Sequence, residues 1–410
     1  MNAASGSADV GLLFTSRAFR LFAFGFLSVV LTLYLDACGL DARAIGLVLT
    51  FALAGDAALS LLITTTADRV GRRRMLVAGA LLMMAGAVAF ASTTDATWLV
   101  VIAAIGVFSP SGSEVGPFLS IEQASLAQLV APERRTRVFA RYVLVGSFAT
   151  AAGALVGGAA AAAMQRSGIS ALQSYRILLW AYAVCGLVLL VLFVRLSHRV
   201  EAAVVRSGVR RVLGLHRSRK AVTRLASLFA LDAFAGGFIV QSLLAYWFHT
   251  RFHMDIAALG GLFFAANLLA GISALFAARI AERVGLINTM VVTHLPSNVL
   301  LCLVPLMPNA TLAVIVLLVR ASISQMDVPT RQSYTIAIVD PDERSAAAGV
   351  TGIARSVGAS FSPALSGLLM ATAASASLPF FIAGGLKIVY DLLVYHGFRS
   401  VKTPEEQNRQ

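Results

Sequence analysis

Charged side chains occur inside several long apolar stretches of this 410-residue chain. A carboxyl group in apolar surroundings binds a proton more readily than it does in water, and a neighbouring arginine favours release of that proton. Such a set could carry protons, although the same charges could instead neutralise one another and only fix the packing of helices. The candidates for proton chemistry are Glu114, Glu122, Asp327, Arg320, Arg331 and Arg355.

The composition indicates that these charges belong to a membrane-embedded chain. Hydrophobic residues make up 58% of the sequence and charged residues 13%, against roughly 25% charged residues in an ordinary soluble domain. The mean hydropathy is +0.81. Apolar runs of about 20 residues can cross a bilayer as helices. We predict twelve such spans, near residues 18–38, 43–66, 75–94, 97–124, 138–163, 175–196, 225–248, 257–279, 286–307, 310–336, 346–371 and 377–398.

The net charge of +13 is explained by membrane topology, so no nucleic-acid partner is expected. Basic residues are concentrated in alternate loops, and loops rich in lysine and arginine remain in the cytoplasm. The opposite loops contain only Arg43, Arg166, Arg176 and Arg251. We therefore predict a multi-pass protein of the cell membrane with both termini in the cytoplasm.

Two short loop motifs occur twice, which indicates an internal duplication. Residues 68–71 (Asp-Arg-Val-Gly) recur at 282–285 (Glu-Arg-Val-Gly), and Pro132–Arg135 recurs at Pro341–Arg344. The prediction is an all-α membrane protein of twelve transmembrane helices, arranged as two six-helix pseudo-repeats. The predicted order is a cytoplasmic tail 1–16, a bundle 17–196, a basic cytoplasmic linker 197–224, a bundle 225–398 and a cytoplasmic tail 399–410.

The basic linker leaves two interpretations open. Residues 204–215 could form an amphipathic helix on the inner leaflet, where anionic lipid attracts basic side chains. A solvated linker that only sets the topology explains the same pattern. Membrane lipid is an expected partner in both cases.

The fourth predicted span contains Glu114 within a stretch of two prolines and two glycines, Ser109–Pro117. Such residues loosen a helix, and broken helices at membrane depth face protein or a water-filled cavity. We therefore expect Glu114 to face a central cavity. Glu122 follows eight residues later on the same helical face.

The tenth span mirrors this arrangement with Asp327 and Arg331, which are adjacent on one helical face at i, i+4. Glu122 and Arg331 occupy equivalent positions in the two halves, so a pair between them near the cytoplasmic gate is also considered. Arg355 in span eleven is a further cation at cavity depth.

Other charges in the spans have less obvious partners. Asp56 and Asp232 each stand alone in the sequence pattern, as gate or coupling residues or as polar helix contacts. Lys387 and Asp391 in span twelve have i, i+4 spacing and are interpreted as a structural pair.

The turn after the second span carries the most specific family motif. The chain resembles the major facilitator superfamily over residues 17–398, since residues 68–73 match Asp-Arg-x-Gly-Arg-Arg of the superfamily pattern, with Thr64 in place of its first glycine. The resemblance implies a latch, in which the acid holds a helix end of the other half and the arginines pair with acids in the outward-open state. The implied cytoplasmic gate residues are Asp68, Arg69, Gly71, Arg72, Arg73, Glu282 and Arg283.

A glycine-rich part of span five resembles the antiporter signature of this superfamily and thereby its drug and metabolite efflux branch. Gly153, Gly157 and Gly158 are kept, but Ala154 stands where the signature has proline. Close helix packing explains small residues at this spacing equally well. The superfamily often has an arginine in span four for proton transfer; this chain has none there, and Arg320 in span ten is the candidate replacement.

Polar and aromatic residues on several spans are candidates to line a substrate cavity. Few amides among many Phe, Met and Gly residues favour an amphiphilic compound over a sugar, although aromatic residues in spans more often serve packing. The candidates are Gln123, Tyr142, Gln241, Asn267, Gln332 and Tyr334.

These features predict a secondary active transporter that exports a small organic molecule in exchange for protons by alternating access. Uptake by a proton symporter or uniporter is the first alternative, and a receptor or scaffold without turnover is the second. No catalytic or metal-binding pattern is recognised, and Cys38, Cys185 and Cys302 are scattered through apolar runs. We expect no enzyme activity and no cofactor, the proton gradient as energy source, and a monomer.

Overall fold

The computed structural model describes residues 3–113, 118–201, 218–339 and 343–398. Within these ranges the description covers only the backbone of residues 3–7, 64, 68, 132, 133, 136, 278, 336 and 345. Throughout these ranges every regular element is a helix, as predicted for an all-α protein. Fifteen α-helices follow one another within these ranges. They are α1 (Ala3–Ala37), α2 (Ala42–Val70), α3 (Arg72–Ser92), α4 (Ala96–Ile105), α5 (Phe118–Leu129), α6 (Pro132–Arg166), α7 (Ala171–Val194), α8 (Arg219–Gly237), α9 (Gln241–Phe252), α10 (Ile256–Val284), α11 (Leu286–Leu303), α12 (Ala310–Ala321), α13 (Asp327–Ala337), α14 (Arg344–Met370) and α15 (Leu378–Phe398).

Local sequence explains where several helices begin. The carboxylates of Asp41 and Asp95 accept backbone N–H groups at the starts of α2 and α4, and the side chain of Asn309 does the same for α12. The repeated turns are bent at glycine in both halves, with φ of +112° at Gly71 and +87° at Gly285.

Nine helices in the described part are long and apolar enough to cross a membrane. Two shorter apolar helices, α4 and α12, begin spans four and ten. Both spans are interrupted in the described part, by residues 106–113 after α4 and by residues 322–326 before α13. The break in span four follows the expectation from its prolines and glycines, but Glu114 itself lies outside the described residues.

The helices depart from the predicted spans at two places. Helix α1 begins at Ala3 and includes most of residues 1–16, which were predicted as a cytoplasmic tail. Span seven is divided into α8 and α9 at residues 238–240. The predicted amphipathic helix at 204–215 and the tail 399–410 lie outside the described residues.

The helices cluster into two compact units. Unit 1 contains residues 1–206 and 240–264, and unit 2 contains residues 207–239 and 265–410. In unit 1, α1 packs on α6 and α3 on α7; in unit 2, α8 packs on α14 and α11 on α15. The contact between spans one and five in unit 1 therefore corresponds to the contact between spans seven and eleven in unit 2. The contact between spans three and six likewise corresponds to that between spans nine and twelve.

Small residues allow the closest of these approaches. A Cβ atom added to Gly153 would lie 2.0 Å from the carbonyl oxygen of Phe22 on α1. At the equivalent place in unit 2, the Ser362 hydroxyl donates to the carbonyl of Phe234 on α8 at 2.5 Å. The glycine-to-serine difference between the repeats thus replaces a bare helix contact with a hydrogen-bonded one.

Candidate functional site

A group of charged and polar side chains, all buried except the partly exposed Arg355, connects five helices of unit 2. We call this group the ionic cluster. Each of its residues forms an ion pair or a hydrogen bond with at least one other residue of the group. Its members are Asp232 on α8, His294 and Asn298 on α11, Asp327 and Arg331 on α13, Arg355 on α14, and Lys387 and Asp391 on α15.

Asp232 lies at the centre of the ionic cluster. Its Oδ2 accepts hydrogen bonds from Arg331 at 3.1 Å and Arg355 at 3.2 Å, and its Oδ1 accepts one from Lys387 at 2.5 Å. The Asp232 side chain is only 4% exposed. A carboxylate removed from water needs such partners, because an unpaired buried charge is very costly. One acid thereby holds three helices to α8.

His294 connects Asp232 to a second carboxylate. Its Nδ1 lies 2.7 Å from Oδ1 of Asp391, and its Nε2 lies 3.8 Å from Oδ1 of Asp232. Asn298, one turn further along α11, donates to Oδ2 of Asp391 at 3.0 Å. Among the described residues, these contacts give Asp391 polar partners but no lysine or arginine.

The ionic cluster contains part of the predicted proton site. Asp327 and Arg331 pair at 3.0 Å, as their spacing predicted, and Arg355 joins them through Asp232. Arg320 forms no ion pair among the described residues, and its Nε atom is buried without a hydrogen-bond partner there.

The structure decides between the interpretations of two of these charges. Asp232 makes polar contacts between helices, which was one of its two interpretations, and lies at the centre of the ionic cluster. Lys387 does not pair with Asp391, because Lys387 contacts Asp232 while Asp391 contacts His294 and Asn298. The i, i+4 spacing of Lys387 and Asp391 correctly placed both on one face of α15, but that face meets two different partners.

Sequence reasoning missed His294 and Asn298. Both lie within predicted span nine and, four residues apart, share one helical face. A histidine and an amide on one face of a membrane span are the signal that could have identified them.

Unit 1 contains a separate buried pair. Arg20 donates from Nη1 to Oε1 of Glu122 at 2.8 Å and from Nη2 to Oε2 at 2.7 Å. Ser16 donates to Oε1 at 2.8 Å, and the hydroxyl of Tyr142 donates to Oε2. Both members of the ion pair have no exposed side-chain surface.

The pair between Glu122 and Arg331, considered from the sequence as a contact of one transport state, stays a prediction, because each residue binds other partners here. Glu122 is bonded to Arg20, and Arg331 to Asp232 and Asp327. Arg20 lies at the start of the predicted first span and was counted among the basic residues that set the topology, so its pairing was missed. In the structure its side chain is fully buried inside the bundle, where it needs an acid.

The turn between α2 and α3 is organised by an acid absent from the predicted latch. Glu201 accepts the backbone N–H of Arg72 at 2.6 Å and that of Arg73 at 3.4 Å, and Arg73 also donates to the carbonyl of Val194 at 2.5 Å. A carboxylate at this place satisfies the unpaired N–H groups at the start of α3.

The other predicted gate residues are placed as follows. The side chain of Asp68 lies outside the described part, so its predicted role is not tested. The side chains of Arg69, Glu282 and Arg283 are exposed. Beside the turn lies an open cleft of about 630 Å³ whose lining includes Arg69, Gly71, Arg73 and Glu201.

The predicted substrate residues do not form one group. Tyr142 and Tyr334 are fully buried; the first binds Glu122, and the second packs in the apolar core of unit 2. Neither side chain has exposed surface that a substrate could contact in this structure. Gln123 and Asn267 are half-buried, and Gln332 is exposed.

Gln241, the remaining candidate, takes part in a polar contact within unit 1. Its amide donates to the Ser28 hydroxyl at 2.7 Å. Ser242 donates to the carbonyl of Ser28 at 2.7 Å, and Thr32 donates to the carbonyl of Ser242 at 2.8 Å. These bonds join α1 to the start of α9, a segment from the second half of the sequence.

Known proteins with similar sequence or structure agree with this architecture. The family model of the Major Facilitator Superfamily matches residues 13–324 and 226–410. The chain is 30% identical to the "uncharacterized membrane protein YJR124C" of Saccharomyces cerevisiae, with 98% of this chain and 97% of that protein covered.

Solved structures show the same fold at low sequence identity. A variant of the nucleoside transporter NupG is 13% identical, with a TM-score of 0.77 over 95% of this chain and 100% of that one. A bacterial homologue of the human lysosomal transporter Spinster, in an inward-facing form, is 13% identical, with a TM-score of 0.76 over 97% of this chain and 98% of that one. A D-xylose–proton symporter is 14% identical, with a TM-score of 0.73 over 94% of this chain and 97% of that one. The chain therefore belongs to the major facilitator superfamily and is a multi-pass membrane transporter of that type.

Proposed function

We propose that the protein is a secondary active transporter that exports a small organic molecule in exchange for protons by alternating access. It would act in the cell membrane as a monomer, with both termini in the cytoplasm and the proton gradient as its only energy source. The observation that carries the proposal is Asp232, a buried carboxylate bonded to cations from three other membrane helices.

The ionic cluster supports proton coupling because its bonds are both buried and divided among helices. Burying an ion pair gains little stability over an apolar contact of the same size, since the desolvation cost is large. Charges in membrane spans commonly mark ion pathways or proton relays. A group that can change its proton content while helices exchange partners is suited to coupling.

The buried pair in unit 1 supports the same proposal from the other half of the sequence. Glu122 has a guanidinium and two hydroxyl groups around it, so its charge is stabilised as long as Arg20 remains in place. Helix movement that withdraws Arg20 would leave a buried carboxylate that gains a proton. Glu114 stays a candidate from sequence alone.

Alternating access requires contacts that form in one state and break in the other. The bonds of Ser28 with Gln241 and Ser242 are suitable, because they connect α1 with a segment from the second repeat. They are polar and few, so their loss costs little when both groups become hydrated.

Export is favoured by the glycine-rich surface of α6, which resembles the antiporter signature. The fold accommodates proton coupling, as the D-xylose–proton symporter illustrates. For the cargo, we propose an amphiphilic organic compound because the spans are rich in Phe, Met and Gly.

The test uses purified protein in proteoliposomes with an acidic lumen and a panel of labelled amphiphilic compounds, chosen by comparing compound toxicity in cells with and without the gene. Exchange of cargo for protons predicts that one class of compound accumulates in the lumen only while the lumen is acidic. A protonophore should abolish this accumulation. Asp232→Asn should abolish it, whereas Arg43→Gln, a change at an exposed position in the first turn of α2, should preserve it. Accumulation that is indifferent to the pH gradient would overturn proton coupling.

A further inference from the structure

We propose that His294 and Asp391 form the proton-binding site of unit 2, and that a proton on His294 competes with Lys387 for the same oxygen of Asp232. The inference rests on the proposed proton-coupled function and names the residues that bind the ion. It follows from the position of the two imidazole nitrogens between two buried carboxylates.

The carboxylates of Asp232, Asp327 and Asp391 differ in whether a lysine or arginine binds them. Asp232 has three lysine or arginine partners, and Asp327 has Arg331. A permanent cation at hydrogen-bond distance keeps a carboxylate ionised. Asp391 has instead His294 and Asn298 as its hydrogen-bond partners in the described part, and only His294 of these two can gain or lose a proton near neutral pH.

The contacts also assign the atom at which the proton enters. Nδ1 of His294 lies 2.7 Å from Oδ1 of Asp391 and 3.2 Å from the amide nitrogen of Asn298. Because an ionised carboxylate only accepts, we assign the hydrogen of the neutral ring to Nδ1, which donates it to Asp391. Nε2 then carries a lone pair 3.8 Å from Oδ1 of Asp232. A proton that binds Nε2 converts a repulsive approach into an ion pair, and the imidazolium then faces carboxylates on both sides.

The charges of the ionic cluster explain why this proton is a switch. With neutral His294 the acidic and basic members balance. Protonation adds one positive charge in a buried place, so the cluster gains by loosening a cation. The acidic members are Asp232, Asp327 and Asp391, and the permanently basic ones are Arg331, Arg355 and Lys387.

Lys387 is the cation that competes directly. Its Nζ donates to Oδ1 of Asp232 at 2.5 Å, the same oxygen that Nε2 of His294 approaches. Lys387 also lies four residues before Asp391 on α15, so a lysine displaced from Asp232 has a second carboxylate within reach on its own helix. Protonation of His294 would thus transfer Lys387 from α8 toward its own helix and weaken the ionic contact between α8 and α15.

Other charged and titratable groups around His294 set the background for this equilibrium. From α15 the ring of Tyr390 packs edge-on, with centroids 5.9 Å apart. Arg331 of α13 and Arg355 of α14 act through Asp232. Helix α12 also packs on α11; its Arg320 makes no contact with His294 among the described residues.

The direct test measures proton binding without any substrate. The full-length protein, with its histidine rings labelled with ¹⁵N, is titrated in detergent by nuclear magnetic resonance. The chain has six histidines, and His294→Gln identifies the resonance concerned. The titration runs from about pH 9 to 5, and we expect that resonance to report the gain of a proton. Lys387→Met should raise its midpoint by about one pH unit or more, and Asp391→Asn should lower it by a similar amount.

Lys387→Arg keeps the charge and should leave the midpoint near that of the native protein, while the resonance of His249 serves as a reference in every variant. A His294 ring that keeps one protonation state across this range, or a midpoint indifferent to Lys387→Met, would overturn the inference. If Lys387→Met does not fold, the Asp391→Asn shift decides alone. Failure of proton-driven transport with an intact, coupled titration would overturn the proposed function and leave this site standing.

Discussion

Arg20 and Glu122 form a two-pronged ion pair whose side chains are both fully buried in unit 1. Removing one partner leaves a buried charge, which costs about 3–5 kcal/mol, whereas replacing both with apolar residues is often neutral. We expect Arg20→Met to lower the thermal stability in detergent strongly and Arg20→Met combined with Glu122→Leu to recover most of it.

Transport by this double variant separates the two roles of the pair. A pair that only fixes helix packing predicts normal transport once stability is restored. Participation in coupling predicts a stable protein that no longer responds to the pH gradient. A double variant as unstable as the single one would contradict the packing argument.

Tyr142→Phe tests the hydroxyl that donates to Glu122. The ring remains available to the guanidinium of Arg17, which lies 4.2 Å from its centroid. Loss of a hydrogen bond to a charged group costs about 1.5–3 kcal/mol. We expect a clear fall in unfolding temperature, with little change for Tyr395→Phe at a more exposed position. Equal effects of the two changes would show that the hydroxyl on Glu122 has no special weight.

Glu201→Ala should destabilise the start of α3. The carboxylate accepts the N–H groups of Arg72 and Arg73, and loss of such a cap costs about 0.5–2 kcal/mol. Glu201→Gln keeps one oxygen acceptor and should have a smaller effect. Hydrogen exchange at the first amides of α3 measures the change, and unaltered protection in Glu201→Ala would refute the cap.

Gly157→Ala tests the close approach of α6 to α1. An added Cβ would lie 2.3 Å from the Cβ of Phe26, so the helices must separate. We expect a stability loss of about 1–3 kcal/mol, as for other overpacked sites. Gly349→Ala in α14 is the matched control, because a Cβ there meets nothing within 4 Å and alanine favours helix. Similar stability of the two variants would mean that α1 and α6 are not held this closely.

A cross-link between Ser28→Cys and Gln241→Cys tests the contact proposed to break during transport. The native side chains bond at 2.7 Å, and Cys38, Cys185 and Cys302 would be replaced by alanine. A short thiol-specific cross-linker should stop transport, and each single cysteine variant treated alike should remain active. Undiminished transport by the cross-linked protein would remove this contact from the cycle.

The sequence predicted the fold well because its signals are local or repeated. Apolar runs located most spans, and the paired glycines at Gly71 and Gly285 recur as positive-φ turns. The Asp327–Arg331 pair was also predictable, since four residues on one helix determine their proximity.

The partners of Asp232 were not predictable in this way. Lys387, Arg331 and Arg355 come from three helices far along the chain, and helical periodicity says which face a residue occupies but not which helix it meets. Arg20 was misassigned for another reason. A basic residue near the start of a span signals topology in most membrane proteins, but this one is fully buried against Glu122.

The exchange of cargo for protons is tested most directly by the proton itself. Proteoliposomes containing a trapped pH-sensitive dye are prepared without a pH gradient, and the compound identified by accumulation is added outside. Its entry through an antiporter must expel protons, so the account predicts that the lumen becomes alkaline, and that Asp232→Asn abolishes this change. Acidification of the lumen, or entry of the compound with no change of pH, would contradict the account.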